Sequence, residues 1–480
     1  MRVIKNIILK YLAKFFIQLT RNTIGLTGFI ITTVTLIINV ITWFLYYFEI
    51  IENPYTGIFV YVLLPLFFVT GLVLIAIGYY AKRKEVYREE YKVRILLISI
   101  LTMVNLVLII SLVGGGISYM NTSEFCGTVC HTVMAPEYTA YQNSAHSKIR
   151  CVDCHIWEEV SWVVKAKISG LRQVAAVLTN SYSKPIPSPV HDLVPARGTC
   201  EKCHWPEKFH GDRRRIYTNY SDDEKNTPNY SVLYLKVGGQ KGGPEGSYEG
   251  IHWHVNKDTK VKFRSLDKRR HKIGWVQVTK KDGSIVEYAT EEYGAYEKKT
   301  ELEEREMDCL DCHNRPTHEF YSVEKALSMA LSYKKISSEL PYIYREGLRI
   351  LEKEYLEEQI ESEIYRAVKS YYTKEYPEII KEKPQLIENT SSEMVRIYRR
   401  NNWPKMELRW GYHRSHIGHN DVPGCGRCHN ADMLTKDGKG LSDVEADCEN
   451  CHDILIEDEK DICAVQKVLH PARDECLKED

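Results

Sequence analysis

The chain has 480 residues, with 64 Lys/Arg against 64 Asp/Glu. It is long enough for two or three folding units, and a formal charge of zero gives no reason to expect nucleic acid as a partner. The charge is unevenly spread, however: residues 1–94 hold 11 Lys/Arg and 5 Asp/Glu, and the remainder is mildly acidic.

In chain order, residues 3–19 place Ile4, Ile7, Ile8, Leu12, Phe15, Phe16 and Leu19 at helical spacing with lysines between them. This reads as an interfacial amphipathic helix or simply as a basic flank. Three uncharged apolar runs follow, at residues 24–48, 55–80 and 95–118. Each meets the roughly 20-residue length needed to cross a bilayer as a helix. The first is too long for a signal-peptide core and has no small-residue cleavage site after it. Arg2, Lys5, Lys10, Lys14 and Arg21 precede the first run, and Lys82, Arg83, Lys84, Arg88, Lys92 and Arg94 follow the second, whereas Glu49 and Glu52 lie between them. The positive-inside rule puts both basic segments in the cytoplasm and the chain after residue 118 outside it.

That outer part carries twelve of the 14 cysteines in six pairs, each followed at once by histidine. The pairs are Cys126/Cys130–His131, Cys151/Cys154–His155, Cys200/Cys203–His204, Cys309/Cys312–His313, Cys425/Cys428–His429 and Cys448/Cys451–His452. A disulfide framework or zinc ribbon uses cysteine pairs, but neither requires a histidine immediately after each one. C-x-x-C-H is the attachment signature of haem c: two thioethers fix one porphyrin edge and the histidine is carried under the iron. Six covalently attached haems are expected. No histidine precedes His131, so the apolar runs offer no usual haem ligand and anchor rather than conduct.

The fold class expected is a mainly α and irregular multihaem cytochrome c with three N-terminal transmembrane helices and a small antiparallel β insert. Residues 1–23 form the cytoplasmic or interfacial segment, 24–118 the three spans, and 119–215 a membrane-proximal unit with three haems. Residues 216–300 alternate as strands do and contain a Lys-Asp-Gly-Ser hairpin turn, giving the β-rich insert. Residues 301–320 hold the fourth motif, and 321–400 repeat as two or three long helices with a solvated charged face. The last two motifs fall in irregular chain at 401–480. Distal iron ligands are sought among Met134, His146, His191, His210, His252, His254, His318, His416, His419 and Met433. His252 and His254 flank Trp253 and would share one face of a strand. His271, beside Lys268-Arg269-Arg270, and His470 read as surface residues. Cys463 and Cys476 lie outside the motifs and form a disulfide, two free thiols or a bridge to a partner.

The run SEFCGTVCHTVM, then YQNSAHSKIRCVDCHI and WVVKAKISGL, resembles the NapC/NirT family of membrane-anchored quinol dehydrogenases. The segments TCEKCHWPEKFHGD, GIHWHV, CLDCHNRPTH and HIGHNDVPGCGRCHN are similar to its larger three-span members with six or seven haems. The resemblance implies menaquinol oxidation at the outer face of the inner membrane, beside a first haem with methionine-type or incomplete ligation. It also implies a quinol-binding lysine after the second motif, where Lys165 and Lys167 stand; Glu158 and Glu159 precede them as proton acceptors. The chain departs from the family in the extra residue of its first motif, in lacking a carboxylate after those lysines, and in having Met433 where larger relatives tend to carry a histidine. Electrons would pass along six haems to periplasmic c-type cytochromes or a terminal reductase. The alternatives are a terminal reductase of a small oxyanion, or a passive electron-transfer subunit fed by a partner protein.

Overall fold

The structure, a computed structural model, describes residues 23–47, 63–81, 114–129, 131–156, 160–189, 195–204, 211–240, 248–419, 424–441 and 448–470. Segment 3–19, most of the third apolar run, Cys130, Glu158, Glu159, His191, His210 and Cys476 lie outside the described residues. For His131, Lys165 and Lys167 the backbone alone is described. The chain forms two compact units, residues 1–134 with 150–152, and residues 135–149 with 153–480.

In the first unit, helices α1 (Thr23–Tyr47) and α2 (Leu64–Ala81) occupy the first two apolar runs and pack on each other. Glycine sets how closely they approach. A Cβ on Gly71 would sit 2.3 Å from Thr32 Oγ1, and one on Gly28 would sit 2.6 Å from the Gly71 carbonyl oxygen. The Thr32 hydroxyl donates to the Gly28 carbonyl at 2.8 Å, so its polarity is satisfied within α1. Small residues at a close helix crossing, with exposed Ile30, Ile37, Leu66, Phe67 and Val73 around it, are the pattern of lipid-facing pairs. Among the described residues no helix is long and apolar enough to cross a membrane.

Helix α3 (His131–Gln142) starts in the first unit and ends in the second, which continues with α4 (Val160–Leu178). Antiparallel strands β1 (Arg213–Tyr220) and β2 (Pro228–Leu235) follow, and β3 (Gly239–Gln240) pairs with β4 (Tyr248–Glu249). Strands β5 (Lys260–Ser265), β6 (Ile273–Thr279), β7 (Ile285–Ala289) and β8 (Glu304–Glu306) make a sheet of order β7-β6-β5-β8. One face of β5 and β6 buries Val261, Phe263, Ile273, Val276 and Val278 against Met433.

Two expectations are corrected here. The C-terminal segment is not wholly irregular: β9 (His452–Glu459) pairs with β2 to complete the sheet β1-β2-β9. Residues 321–400 do not form two or three long helices. They make five, α5 (Val323–Ser332), α6 (Ile343–Leu351), α7 (Ile360–Glu375), α8 (Pro377–Glu382) and α9 (Pro384–Asn401). Pro377 and Pro384 each open a new helix because proline suits the first helical turn and cannot continue the previous one. Leu327, Ile343, Ile350, Ile360, Ile364, Tyr372 and Met394 form the centre of this bundle.

Asn226 ties the β1–β2 turn to the bundle. Fully buried, it donates through Nδ2 to the Ser338 and Leu340 carbonyls at 3.0 and 2.9 Å and accepts from the Tyr344 N–H at 2.9 Å. Asn226→Ala leaves three buried backbone groups without partners and is expected to lower stability by about 2–4 kcal/mol. A thermal melt unchanged within about 1 °C would show that the turn does not depend on this side chain.

Candidate functional site

An imidazole bound to a metal at about 2 Å has its ring centroid roughly 3 Å from that metal, so two rings across one metal lie ~6 Å apart. The five motif histidines whose side chains are described all stand at this distance from a second histidine. His155 faces His318 at 6.3 Å, His204 faces His146 at 6.0 Å, and His313 faces His252 at 6.4 Å. His429 faces His254 at 5.7 Å, their Nε2 atoms 3.4 Å apart, and His452 faces His419 at 6.1 Å. Each pair joins a C-x-x-C-H histidine to one outside any motif, which is the donor set for a six-coordinate haem iron.

The attachment cysteines are not equally enclosed. Cys154 of the second motif, expected to carry one thioether of a haem, is exposed rather than covered by protein, and so is Cys203 of the third. The other described motif cysteines are partly buried. The cause is the shortness of the elements in this motif-dense stretch: the helix Cys151–His155 buries none of its residues against the rest of the chain. A thioether there would take its apolar cover from the porphyrin it holds rather than from side chains.

Two of the five distal rings are oriented from behind. His254 Nδ1 lies 2.7 Å from the Ile251 carbonyl, and His318 Nδ1 lies 2.9 Å from that of Glu137. Bonding through Nδ1 fixes the ring and leaves Nε2 for a metal. Burial pushes the pKa values of His155, His252, His313 and His318 down, which keeps these imidazoles neutral as ligation requires.

His252 and His254 do not share a strand face. They lie on a 3-10 turn, Ile251–Val255, and meet different motif histidines. Gly250, at φ 77° and ψ −167°, turns the chain back on the end of β2, where Ile251 and His252 N–H groups donate to the Lys236 and Val237 carbonyls. The same strand end fixes the sixth motif: Lys236 N–H donates to the Cys451 carbonyl at 2.8 Å, and its ammonium pairs with Asp453 at 2.8 Å. Met433, expected as a possible distal ligand, is instead fully buried in the β5–β6 core, and His254 takes the position facing His429. Among the described residues His416 faces no motif histidine; it faces His271, which is half-buried rather than a surface residue. Met134 is partly buried, on α3.

The fourth motif is the junction. His313 and His318 are five residues apart, which limits their separation to about 18 Å, and they belong to the fourth and second pairs. His252 and His254 belong to the fourth and fifth. The Cys200 and Cys309 sulfurs, from the third and fourth motifs, are within hydrogen-bond reach of each other. The short helix Cys309–Cys312 is held by a capping box between Asp308 and Asp311. Buried Asp311 also meets Arg305 at 2.7 Å, and its carbonyl accepts from Arg427 of the fifth motif at 2.6 Å.

His413 was not singled out by sequence. It is buried against Phe320 and Tyr412, and burial, with Arg315 and Arg269 nearby, brings its pKa down to about 3. The unfolded chain therefore binds the extra proton first as pH falls below about 6.5, so this group's contribution to stability is lost as pH drops from there towards 3. One such group steepens unfolding by up to about tenfold per pH unit. His413→Phe is expected to flatten the melting-temperature profile between about pH 4 and 6; an unchanged slope would assign the acid sensitivity elsewhere.

Cys463 is disulfide-bonded.

Residues 88–186 match the model of the NapC/NirT cytochrome c family, N-terminal region. The chain is 38% identical over 472 residues to "Cytochrome c-type protein ImcH" of Geobacter sulfurreducens, covering 94% of this chain and 92% of that one. No solved structure matches. A c-type cytochrome of this kind carries covalently bound haem c and works in electron transfer linked to quinol oxidation. The paired histidines, the cysteine motifs and this near full-length likeness agree: the chain belongs to the NapC/NirT cytochrome c family.

Proposed function

We propose that this chain oxidises menaquinol at the outer face of the inner membrane and relays the electrons along six c-type haems to a periplasmic acceptor. The observation that carries the relay is the five histidine pairs, each of which would close both axial positions of an iron. Haem iron so held changes oxidation state by one electron without binding substrate. This weighs against a terminal reductase, which needs an open distal position, at five of the six motifs. By its resemblance to the family, His131 of the first motif, with Met134 three residues on, would be the place of electron entry.

Lys165 and Lys167 lie on α4, which begins five residues after His155. A lysine there would donate to a quinol oxygen, and Glu158 or Glu159, in the preceding turn of sequence, would accept the released proton. In this reading the three apolar runs anchor the chain in the bilayer, where the quinol dissolves. The C-terminal pair, His419 and His452, lies farthest along the chain and is the natural exit towards a c-type cytochrome or terminal reductase.

The test is rapid mixing of full-length, detergent-solubilised holoprotein with a menaquinol analogue, following haem reduction by absorbance. Wild type is expected to be reduced, and the Lys165→Ala/Lys167→Ala variant to react about a hundredfold more slowly, with reduction by dithionite unchanged. Wild-type haems that stay oxidised would instead favour a subunit fed by a partner protein. Equal rates in wild type and variant would remove the lysines from the quinol site.

A further inference from the structure

A sixth pair of histidines has the geometry of the other five but no cysteines. The His271 and His416 rings are 5.6 Å apart at 83°, close to the 5.7 Å and 88° of His254 and His429. His416 is buried and set in the manner of the distal ligands: its Nδ1 lies 3.1 Å from the Asp311 carbonyl, as His254 and His318 use Nδ1 on carbonyls. Its Nε2 is buried with no hydrogen-bond partner among the described residues. A buried imidazole nitrogen left without a partner is unfavourable unless something binds it.

His271 follows a turn that shares one hydrogen bond with the attachment motifs, although its Arg270 is left-handed, at φ 59°. The Arg270 N–H donates to the Asp267 carbonyl at 3.2 Å, as Cys203 does to Cys200 at 3.1 Å, Cys428 to Cys425 at 3.2 Å and Cys451 to Cys448 at 3.2 Å. Asp267 and Arg270 stand where the two cysteines would be, so no thioether can form.

We propose that His271 and His416 hold an additional haem through iron coordination alone, as a b-type site alongside the c-type ones. This rests on the haem reading of the five motif pairs, which supply the yardstick. A bare transition-metal ion fits less well. Structural zinc takes four protein donors, and no group of three or more His, Cys, Asp or Glu that could hold a metal occurs among the described residues. A haem needs only two protein ligands because the porphyrin supplies the other four. The charged surroundings of His271 are the Asp267 carboxylate and, outnumbering it, the guanidiniums of Arg269, Arg414 and Arg427, so two propionates would meet a net positive site. Arg427 is already committed to the Gly424, Arg270 and Asp311 carbonyls, which leaves Arg269 and Arg414 for the carboxylates. The site adjoins the fourth motif through Asp311 and the fifth through Arg427, so an iron there would join the relay at its junction.

The experiment separates the two kinds of attachment in full-length holoprotein from a host that matures c-type cytochromes. Intact mass counts covalent haem; acid–acetone extraction followed by a haemochrome assay counts the rest. The expected result is one extractable haem per chain, lost in both His271→Ala and His416→Ala, whose covalent mass stays that of wild type and so reports that each has matured and folded. Absence of extractable haem from wild type, even after incubation with excess hemin, would overturn the proposal. So would extractable haem that persists in both variants, or stoichiometric zinc or copper in its place. A covalent mass short of six haems would count against the proposed relay and leave the extractable haem readable on its own.

Discussion

Gly250→Ala is expected to strip two haems of their sixth ligand at once. The glycine sits at φ 77° and ψ −167°, a region essentially closed to other residues. An added Cβ would lie 2.3 Å from the Lys236 carbonyl oxygen and 2.9 Å from the Gly238 Cα. Both obstacles are backbone, so no side-chain rotation relieves them. The conformation alone costs about 1–3 kcal/mol, and the contact forces the turn away from β2. That turn carries His252, opposite His313, and His254, opposite His429, and its place depends on bonds from Ile251 and His252 to residues 236 and 237. The measurement is electron paramagnetic resonance on the purified variant, with intact mass to show that the haems are still attached. Two low-spin signals should give way to high-spin ones, and electron passage beyond the fourth haem should slow. A wild-type spectrum would mean that the turn does not position these ligands.

How much of this the sequence discloses depends on whether the chemistry is local. Haem attachment is local: both thioethers and the histidine lie within five or six consecutive residues, so the six motifs are legible on sight. Distal partners are not, because His146 meets His204 and His254 meets His429 only through tertiary packing. Proximity in sequence misleads. His416 precedes the fifth motif by nine residues yet faces His271, and Met433, four residues after His429, fills an apolar core that exists only once β5 and β6 pair. The charges at Lys268-Arg269-Arg270 suggest an exposed loop. In the fold Arg270 pairs with buried Asp311, and Arg269 lies over the Tyr412 ring, which draws His271 inward. The turn at Ile251–Val255 has strand-like residues, and the one signal against a strand is Gly250. The prolines that divide 321–400 were equally visible, but helical periodicity runs through them. The C-terminal strand had no such signal, because HDILIEDE becomes β9 only by joining the free edge of β2.

The second large effect is expected at Arg315, which touches no iron. Its Nη2 donates to both carboxylate oxygens of Glu137, at 2.9 and 2.7 Å, and its Nε donates to the His318 carbonyl at 2.6 Å. His318 Nδ1 in turn lies 2.9 Å from the Glu137 carbonyl and 3.3 Å from its carboxylate. Arg315 is 9% exposed and Glu137 15%, so the pair is largely shielded from water. Arg315→Met leaves the carboxylate without its cation, at a cost of about 3–5 kcal/mol. It also changes the ligand. Burial is the main cause of the lowered His318 pKa, with Arg315 lowering it further and Glu137 opposing. Removing Arg315 therefore shifts that pKa upward, and a protonated imidazole cannot bind iron. The second haem should become high-spin progressively as pH falls, over a range where wild type stays low-spin. Adding Glu137→Gln should undo most of both effects, because the neutral amide neither strands a charge nor attracts the proton. If Arg315→Met shows no acid-dependent spin change, the guanidinium holds the loop but does not protect the ligand. If it does and Glu137→Gln fails to reverse it, the carboxylate is not the group against which Arg315 guards His318.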